Sequence, residues 1–312
     1  MSTLIPVRVK AVRHLTPVIR EFTLVPCTGR LPGFSAGSHV QLHLPTQPRA
    51  LRNAYSLLSD PACTDEYRIA VRRQESSRGG SHFLHDALAV GDRLNISPPA
   101  NLFPIHPLAR HHVLIAAGIG ITPFMAYVEE LLRKGASFEL HYAQRTGLTD
   151  AYAGALEWRL GTRFHGYTRP AKPLDLKRIL AQQPLGSHLY VCGPSALLSA
   201  VQAEARAQGW PAERVHFEAF AGAQPGTPFS VSLARSGQQL EVPGELSLLE
   251  ALEAHGLEVP NLCRGGVCGQ CVTGFLDGQV EHRDHYLSDA ERKDQLMPCV
   301  SRGCGQTLVI DL

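Results

Sequence analysis

Four cysteines in the last third of this 312-residue chain are spaced so that they could hold one metal centre together. Cys263, Cys268 and Cys271 lie within one stretch of nine residues, and Cys299 follows further along. Cysteine thiolates are ligands for zinc and for iron–sulfur clusters. In a chain of this length such a site explains cysteines better than a disulfide framework, which is typical of small secreted domains.

The intervals between these cysteines separate the two kinds of metal site. Structural zinc sites usually present paired C-x2-C knuckles. Here the pattern is C-x4-C-x2-C with one distant fourth cysteine, which is typical of plant-type [2Fe–2S] ferredoxins. We expect Gly265, Gly266 and Gly269 to allow the unusual backbone angles of a tight loop and the approach of N–H groups to the sulfides, and Arg264 to add positive charge beside the loop. The sequence therefore predicts a [2Fe–2S] cluster, with a zinc site or free buried thiols as the alternatives.

Two turns in the middle of the chain could together bind a dinucleotide. The first, Gly118–Pro123, follows a continuous apolar run and has the sequence Gly-Ile-Gly-Ile-Thr-Pro. Its glycines would let a pyrophosphate approach the start of the next helix, although proline stands where G-x-G-x-x-G has its last glycine. The second turn, Cys192–Pro194, also ends an apolar run. Two such turns at the carboxyl ends of parallel strands predict a ligand crevice, while Cys192 itself could equally be a buried core thiol.

Three stretches near the N-terminus could bind a planar ring and a phosphate. Arg52–Leu57 lies at the edge of a predicted strand and contains Tyr55, and Ala70–Arg73 ends another strand. Ser77–Ser81 is a Ser-Arg-Gly-Gly-Ser turn before a predicted helix. Arginines and a glycine turn at a helix start suit a phosphate, and a tyrosine ring can stack on a planar ligand. Without further context, the same residues could be surface arginines beside a core tyrosine.

The elements that must position these residues fall into three segments. Residues 1–102 contain short alternating strands and one helix predicted over 80–89, which is typical of an antiparallel β-barrel. Residues 103–226 alternate strands and helices, as in a doubly wound α/β domain. Residues 227–312 have a hairpin, a helix capped by Ser247 and a closing strand over 307–312, the order of an α+β β-grasp ferredoxin domain. We therefore predict a multidomain protein with these three domains.

In their order along the chain, these motifs resemble those of one family. The three N-terminal stretches, the two turns, the run His216–Phe220 and the cysteine loop are similar to the phthalate dioxygenase reductase family, which includes the vanillate O-demethylase reductases. The resemblance covers essentially the whole chain. It implies an FMN-binding barrel, an NAD-binding α/β domain and a C-terminal ferredoxin domain. It further implies that NADH reduces the flavin, that electrons pass singly to the cluster, and that the cluster reduces a partner terminal oxygenase of the Rieske type.

The resemblance also implies roles for individual residues, with Tyr55 against the flavin ring, Ser56 near its reactive edge and Cys192 near the nicotinamide. The flavin would contact Arg52, Tyr55, Ser56, Ala70, Val71, Arg72, Gly79, Gly80, Ser81, Thr122 and Phe220, where the residues at 79–81 hold the phosphate. The pyridine nucleotide would contact Gly118, Gly120, Cys192, Gly193 and Pro194. The cluster would be ligated by Cys263, Cys268, Cys271 and Cys299. No catalytic acid, base or nucleophile is required, because the electrons move through cofactors, and none of the 15 histidines is assigned as a ligand.

Two departures from the family pattern leave alternatives open. The family's Arg-x-Tyr-Ser is Arg-x-x-Tyr-Ser here, so Arg49 could serve in place of Arg52. Many relatives carry an acidic residue after the third strand of the nucleotide domain, whereas residues 164–169 contain none and end in Arg169. An acid there favours a free ribose hydroxyl, and an arginine can accept a 2′-phosphate. The family implies NADH, and NADPH stays open.

The charge distribution excludes some partners. Thirty basic and 28 acidic residues give a net charge of +2, which is the sum of +5, +3 and −6 in the three segments. This balance argues against a nucleic-acid-binding protein. The start of the chain lacks the apolar run of a signal peptide, and the most apolar window, residues 113–128, is too short and interrupted to span a bilayer. We expect a cytoplasmic monomer without nucleic-acid or membrane contacts.

Two other functions would fit the same residues. One is a redox sensor in which flavin and cluster report on the cell, and the other is a reductase for a different soluble electron acceptor. Turnover of NAD(P)H with a one-electron dye would exclude the sensor. Electron transfer to a Rieske-type oxygenase would separate the two reductases.

Overall fold

A computed structural model of the chain describes residues 4–46, 50–75, 77–220 and 224–312. Contacts divide the chain into two compact units, Met1–Ala219 and Phe220–Leu312. The first unit contains two β-sheets and the second contains one. Among the described residues, no helix combines the length and the apolar character needed to cross a bilayer.

The first sheet of the first unit has seven strands and is curled into a barrel. Its elements are β1 (Ile5–Thr16), β2 (Ile19–Pro26), β3 (Ser38–Leu44), β4 (Leu51–Ser56), β5 (Tyr67–Arg72), α1 (Gly80–Asp86), β6 (Arg93–Ile96) and β7 (Ala100–Asn101). The strand order is β4-β3-β6-β1-β2-β5, with β7 paired to β3, and every ladder is antiparallel. The two end strands, β4 and β5, are in contact, and Leu58 N just past β4 donates to the Arg68 carbonyl at 2.8 Å. The predicted antiparallel barrel is confirmed, with a helix that ends at Asp86.

Alternation of side chains explains why these residues form a barrel. Along β1, Val7 and Val9 are fully buried, whereas Arg8 and Lys10, which alternate with them, are exposed. A strand with this period of two places one face in the core and the other in solvent. The buried valines join a cluster with side chains from all the long strands of the barrel.

The second sheet of the first unit is parallel and carries helices. Its elements are β8 (His111–Ala117), α2 (Thr122–Arg133), β9 (Phe138–Gln144), α3 (Ala153–Leu160), β10 (Phe164–Thr168), α4 (Leu176–Ala181), β11 (Ser187–Gly193), α5 (Ser195–Ala207) and β12 (Val215–Ala219), with 3-10 helices at Gly118–Ile121, Gly161–Arg163 and Ala212–Arg214. The strand order is β10-β9-β8-β11-β12, and all pairs are parallel. The order reverses between β8 and β11, which is the switch point where doubly wound sheets bind ligands. The predicted doubly wound α/β fold is confirmed.

Hydrogen bonds join the barrel to the parallel sheet, and we call this region the seam. The Tyr152 hydroxyl donates to Glu21 Oε2 at 2.7 Å, and Thr16 Oγ1 donates to the Leu148 carbonyl at 2.8 Å. The Glu21 carboxylate is buried and also accepts from Arg13 Nη1 at 3.1 Å. A buried carboxylate with charge-assisted hydrogen bonds is costly to separate from its donors, so the seam holds the two sheets as one body.

The second unit has the α+β order predicted from the sequence. Its elements are β13 (Phe229–Leu233), β14 (Gln239–Val242), α6 (Leu248–Ala254), β15 (Thr273–Glu281), a 3-10 helix at Glu291–Lys293, β16 (Gln295–Leu296) and β17 (Arg302–Ile310). The strand order is β14-β13-β17-β15-β16, with β13 and β17 parallel. Ser247 caps α6 as predicted, since Ser247 Oγ accepts from Glu250 N at 3.1 Å and Glu250 Oε2 accepts from Ser247 N at 2.9 Å. This capping box fixes the start of the helix that precedes the cysteine loop.

Candidate functional site

The four predicted cluster ligands meet in the second unit. Cys263, Cys268 and Cys271 lie between α6 and β15, and Cys299 lies between β16 and β17. Hydrogen bonds between thiols connect Cys263 to Cys268 and Cys299, and Cys271 to Cys299. Cys271 and Cys299 are buried, whereas Cys263 and Cys268 are partly exposed. Four sulfur donors therefore converge on one place, and this donor set fits a [2Fe–2S] cluster.

The shared contacts also shift the acidity of these thiols. Hydrogen bonds from Cys268 and Cys299 lower the pKa of Cys263, and the same contacts raise the pKa of the two donors. A hydrogen bond from Cys299 lowers the pKa of Cys271. The backbone N–H of Gly265 donates to Cys263 Sγ at 3.3 Å. The thiolate, which is the form that binds iron, is thus favoured at Cys263 and Cys271.

The loop around the cysteines depends on residues with left-handed backbone angles. Gly266 and Gly269 both have φ +74°. A Cβ at Gly269 would lie 2.3 Å from Cζ of Tyr286, so glycine is needed there for space as well as for conformation. Arg264 is also left-handed, with φ 52°, which was not predicted from the sequence.

Arg264 is bound to a partner that the sequence did not reveal. Its guanidinium donates to Glu253 on α6 at 2.9 Å from Nη1 and at 2.5 Å from Nη2, and Nη1 also donates to Asn261 Oδ1 at 3.2 Å. Both charged side chains are largely buried, at 11% and 22% exposed. Bidentate arginine–carboxylate pairs combine strength with fixed geometry. Arg264 therefore anchors the loop to the helix, and its charge is balanced by Glu253.

A turn beside the cysteine loop was also not predicted. The buried Asp284 carboxylate accepts from Tyr286 N at 3.2 Å and from Leu287 N at 2.9 Å. His285 N donates to the carbonyl of Gly266 at 2.9 Å. The Tyr286 side chain is 51% exposed, so an aromatic ring lies next to the cysteine loop at the surface.

The first group of predicted flavin residues lies on β4. Arg52 is exposed and Tyr55 is partly buried, while Ser56 at the end of the strand is buried. Burial raises the pKa of Tyr55 to about 12, so its hydroxyl stays protonated. The Ser56 hydroxyl donates to Glu218 Oε2 at 3.3 Å, which links the end of β4 to β12. Arg49, the alternative to Arg52, lies outside the described residues.

The second group lies on β5 and ends in an arginine suited to a ligand. Ala70 and Val71 are buried. Nε of Arg72 is shielded from solvent and has no hydrogen-bond partner among the described residues. A buried polar atom without a partner is costly. Acceptor atoms of a flavin would satisfy this nitrogen, so Arg72 fits the predicted cofactor.

The third group begins α1, which contacts both β4 and β5. A Cβ at Gly80 would lie 2.2 Å from Asn53 Nδ2, so the chain approaches β4 closely here. Ser81 is buried and its hydroxyl bonds to Ser77 Oγ at 3.0 Å, while Gly79 N donates to the same Ser77 oxygen at 3.0 Å. The structure thus brings all three groups to the line along which the barrel closes.

The two predicted coenzyme turns touch each other at the switch point. Gly118–Ile121 follows β8, and Pro194 precedes α5 directly after β11. A Cβ at Gly120 would lie 2.3 Å from the carbonyl oxygen of Cys192 and 2.8 Å from Gly193 N. Only a residue without a side chain permits this approach. The turn 118–121 also contacts β5, which places the predicted coenzyme and flavin residues on neighbouring elements.

Three further predicted residues have distinct surroundings. Thr122 is buried at the start of α2, and its hydroxyl donates to the Ile119 carbonyl at 3.0 Å. Cys192 is fully buried in the core, where burial raises its thiol pKa well above the usual value, so its role at a nicotinamide stays a prediction. Phe220 is the first residue of the second unit and is 43% exposed; its contact with a flavin stays a prediction.

The carboxyl end of the edge strand β10 carries positive charge. Arg169 and Lys172 are exposed there, and Lys172 Nζ lies 5.1 Å from the centre of the Tyr167 ring. Mutual backbone hydrogen bonds between Thr168 and Lys172 form the turn, at 2.9 and 2.6 Å. This end of the sheet therefore carries two basic side chains at the place where many relatives carry an acidic residue.

Two family models match parts of the chain. Residues 231–304 match the 2Fe-2S iron-sulfur cluster binding domain. Residues 94–215 match the N-terminal domain of dimethylamine monooxygenase subunit DmmA-like proteins. The first match covers all four predicted cluster ligands.

Several curated proteins are similar over nearly their full length. The heme-dependent oxidative N-demethylase beta subunit of Ectopseudomonas mendocina is 64% identical over 100% of both chains. The carnitine monooxygenase reductase subunit of Escherichia coli is 44% identical over 98% of both chains. The vanillate O-demethylase oxidoreductase of a Pseudomonas species is 40% identical over 91% of this chain and 92% of its own.

Solved structures show the same architecture. Phthalate dioxygenase reductase superposes with a TM-score of 0.87 at 34% identity, covering 99% of this chain and 98% of its own. A type IV self-sufficient cytochrome P450 monooxygenase matches with a TM-score of 0.74 at 33% identity, covering 99% of this chain and 41% of the larger protein. The fold and the cysteine site, with these relatives, define an oxidoreductase of the flavin and iron–sulfur reductase type. The chain belongs to the phthalate dioxygenase reductase family and is a reductase component of a multicomponent oxygenase.

Proposed function

We propose that this reductase serves a heme-dependent terminal component that carries out an oxidative N-demethylation. The observation that carries the proposal is the 64% identity, over the whole of both chains, with the beta subunit of an enzyme of that name. The match to a self-sufficient cytochrome P450 monooxygenase supports a heme acceptor for this architecture. The Rieske-type partner implied by the family resemblance is the alternative.

We propose FMN, NADH and a [2Fe–2S] cluster as the cofactors. A flavin accepts a hydride and releases single electrons, and a [2Fe–2S] cluster carries one electron at a time. Tyr55 and Ser56 on β4 would orient the ring from one side of the barrel closure, and Arg72 on β5 would donate to it from the other. Gly79, Gly80 and Ser81 would hold the phosphate. Their common position on β4, β5 and α1 supports the assignment.

We propose that the coenzyme lies across the contact between the turns at 118–121 and 192–194. The glycines there leave backbone N–H groups accessible to the pyrophosphate. Thr122 and Phe220 would border the flavin on the nucleotide side. The proposed cluster ligands are the four cysteines that converge in the second unit.

We propose that the chain has three domains and acts as a monomer in the cytoplasm. The domain boundaries 1–102, 103–226 and 227–312 are supported by three sheets whose strands span 5–101, 111–219 and 229–310. We propose that the protein is a monomer. We propose the cytoplasm as its location, because a reducing compartment keeps cysteine ligands in the thiol form.

The partner can be identified by reconstitution. The purified chain with its cofactors is mixed with NADH and either the complementary subunit of the Ectopseudomonas mendocina demethylase or a purified Rieske-type oxygenase. We expect reduction of the heme subunit, followed as a change in its Soret absorbance, at least about tenfold faster than reduction of the Rieske protein. A tenfold ratio corresponds to about 1.4 kcal/mol of barrier. Faster transfer to the Rieske protein, or none to the heme subunit, would contradict the proposal.

Flavin extraction and coenzyme titration test the cofactors. We expect FMN in the extract, and a higher kcat/KM for flavin reduction with NADH than with NADPH. Because an arginine can accept a 2′-phosphate, Arg169→Ala should lower the kcat/KM for NADPH about tenfold and leave the value for NADH within about twofold. Arg206→Ala in the last turn of α5 is the matched control. FAD in the extract, or a preference of the wild type for NADPH, would overturn the assignment.

A further inference from the structure

Two histidines and a glutamate lie together at the amino ends of the parallel strands, away from the crevice at the carboxyl ends. Glu139 and His141 are on β9, and His165 is on β10. The register pairs His141 with His165, and their rings stack with centroids 4.8 Å apart and planes inclined by 19°. Glu139 precedes His141 by two residues, so both side chains lie on the same face of the sheet.

The ligating atoms of these three side chains converge. One nitrogen or oxygen from each lies within 4.8 Å of the other two. His141 Nε2 is 2.8 Å from Glu139 Oε1, and His165 Nε2 is 3.8 Å from Glu139 Oε2. Zinc binds imidazole nitrogen and carboxylate oxygen at about 2.0–2.2 Å, so ligand atoms around one ion lie roughly 3.3 Å apart. The observed separations need only small side-chain movements to reach that geometry.

Neighbouring groups hold two of the three ligands in position. His141 Nδ1 is 2.8 Å from the Tyr167 hydroxyl, which leaves Nε2 directed at Glu139. Gln183 Nε2 donates to Glu139 Oε1 at 2.6 Å. Metal-binding histidines typically bond through their second nitrogen to such a partner, which fixes the ring and the tautomer.

The three ligands line a cleft with a volume of about 300 Å³. His111 lines the same cleft, and its Nδ1 lies 2.8 Å from Ser137 Oγ. Its Nε2 is shielded from solvent and has no hydrogen-bond partner among the described residues. Arg178 also lines the cleft, and its positive charge disfavours a bound cation. The negative charge of Glu139, one of the three ligands, opposes this effect. Nε2 of His111 is therefore a further nitrogen in the cleft that could bind a metal ion.

We propose that Glu139, His141 and His165 form a binding site for a divalent transition metal of the zinc class. Two imidazoles and one carboxylate are a usual protein donor set for zinc, with water completing the coordination. The metal would join the edge strand β10 to β9 and would stabilise the sheet. This proposal does not depend on the identity of the electron acceptor.

Zinc binding to the holoprotein tests the site, with flavin and cluster loaded so that the cluster cysteines are occupied. After dialysis against a chelator, added Zn²⁺ should bind at one ion per chain and raise the Tm. The zinc absorption edge should show nitrogen and oxygen ligands. His165→Gln and Glu139→Gln should weaken binding at least about tenfold, and Tyr167→Phe about tenfold.

The matched control is His14→Gln, which replaces an exposed histidine on β1 and should bind zinc as the wild type does. Unchanged flavin and cluster absorbance in each variant shows that it has folded, and the isosteric Glu139→Gln and Tyr167→Phe exchanges keep the test valid if His165→Gln does not fold. Zinc ligated by sulfur, equal zinc affinity in all variants, or no binding at micromolar Zn²⁺ would each overturn the proposal.

Discussion

Replacing Cys271 with alanine should lower the rate of electron transfer to a protein acceptor by at least about 100-fold. The three remaining thiolates would leave one of the four ligand positions of the cluster unfilled. Cys271 is buried, with 1% of its surface exposed, so water cannot easily take the place of its sulfur. NADH-dependent bleaching of the flavin absorbance should stay within about twofold of the wild type, since the proposed flavin and coenzyme residues up to Ala219 belong to the other compact unit. Stopped-flow absorbance measures the rate of flavin reduction by NADH. A separate assay of acceptor reduction measures the rate of electron transfer to the protein acceptor.

The matched control is Cys304→Ala, which removes a cysteine from the same unit without touching the four converging thiols. Cys304 lies on β17 opposite Gln279 and is partly exposed. We expect both rates to stay within about twofold of the wild type, as is usual for a substitution outside a packed core. If Cys271→Ala kept the iron content and the acceptor rate of the wild type, the ligand assignment would be wrong.

Gly120→Ala should lower the kcat/KM for NADH by about 100-fold, the effect expected when catalytic groups move by about 1 Å. The new Cβ would lie 2.3 Å from the Cys192 carbonyl oxygen and 2.5 Å from its carbon. Both are backbone atoms, so no side chain can rotate to relieve the overlap, and the two turns must separate. We also expect a loss of roughly 1–3 kcal/mol in the free energy of unfolding, measured by denaturant titration.

Gly154→Ala is the control for this substitution, because a Cβ added at Gly154 would have no neighbouring atom within 4 Å and the residue is in the first turn of α3. Alanine in a helix should raise the free energy of unfolding by about 0.5–1 kcal/mol and leave the kcat/KM for NADH unchanged. A Gly120→Ala protein with wild-type coenzyme kinetics would show that the contact between the turns is not part of the coenzyme site.

Features set by neighbours in the chain were predictable from the sequence. The capping of α6 by Ser247 and the continuous apolar run of β8 each depend on residues a few positions apart. The cluster domain was predictable for the same reason, since three of its four cysteines lie in one short loop. The predicted ends of strands were less accurate where a glycine interrupts the alternation of apolar and polar side chains. β17 was predicted to begin at residue 307 but begins at Arg302, because Gly303 pairs with Val280 on β15 despite having no side chain to mark a strand.

Contacts that depend on the order and register of strands were not predictable. Ser56 and Glu218 are 162 positions apart and meet because β4 and β12 end at the same place. His141 and His165 looked like two scattered histidines, and only the pairing of β9 with β10 stacks them. Glu253 had no sequence signal that marked it as the partner of Arg264, because the pair depends on how the cysteine loop folds back on α6.

The seam between the barrel and the parallel sheet has a kinetic consequence. Many enzymes open and close around a ligand by a hinge between two domains. Here the buried Glu21 carboxylate is bonded across the seam to Tyr152, and Thr16 is bonded to the chain at Leu148. Opening a hinge at this point would break both bonds and leave the Glu21 carboxylate with Arg13, its donor within the barrel. We therefore expect coenzyme exchange to proceed by local movements at the mouth of the crevice, with these two bonds holding the sheets at a constant distance.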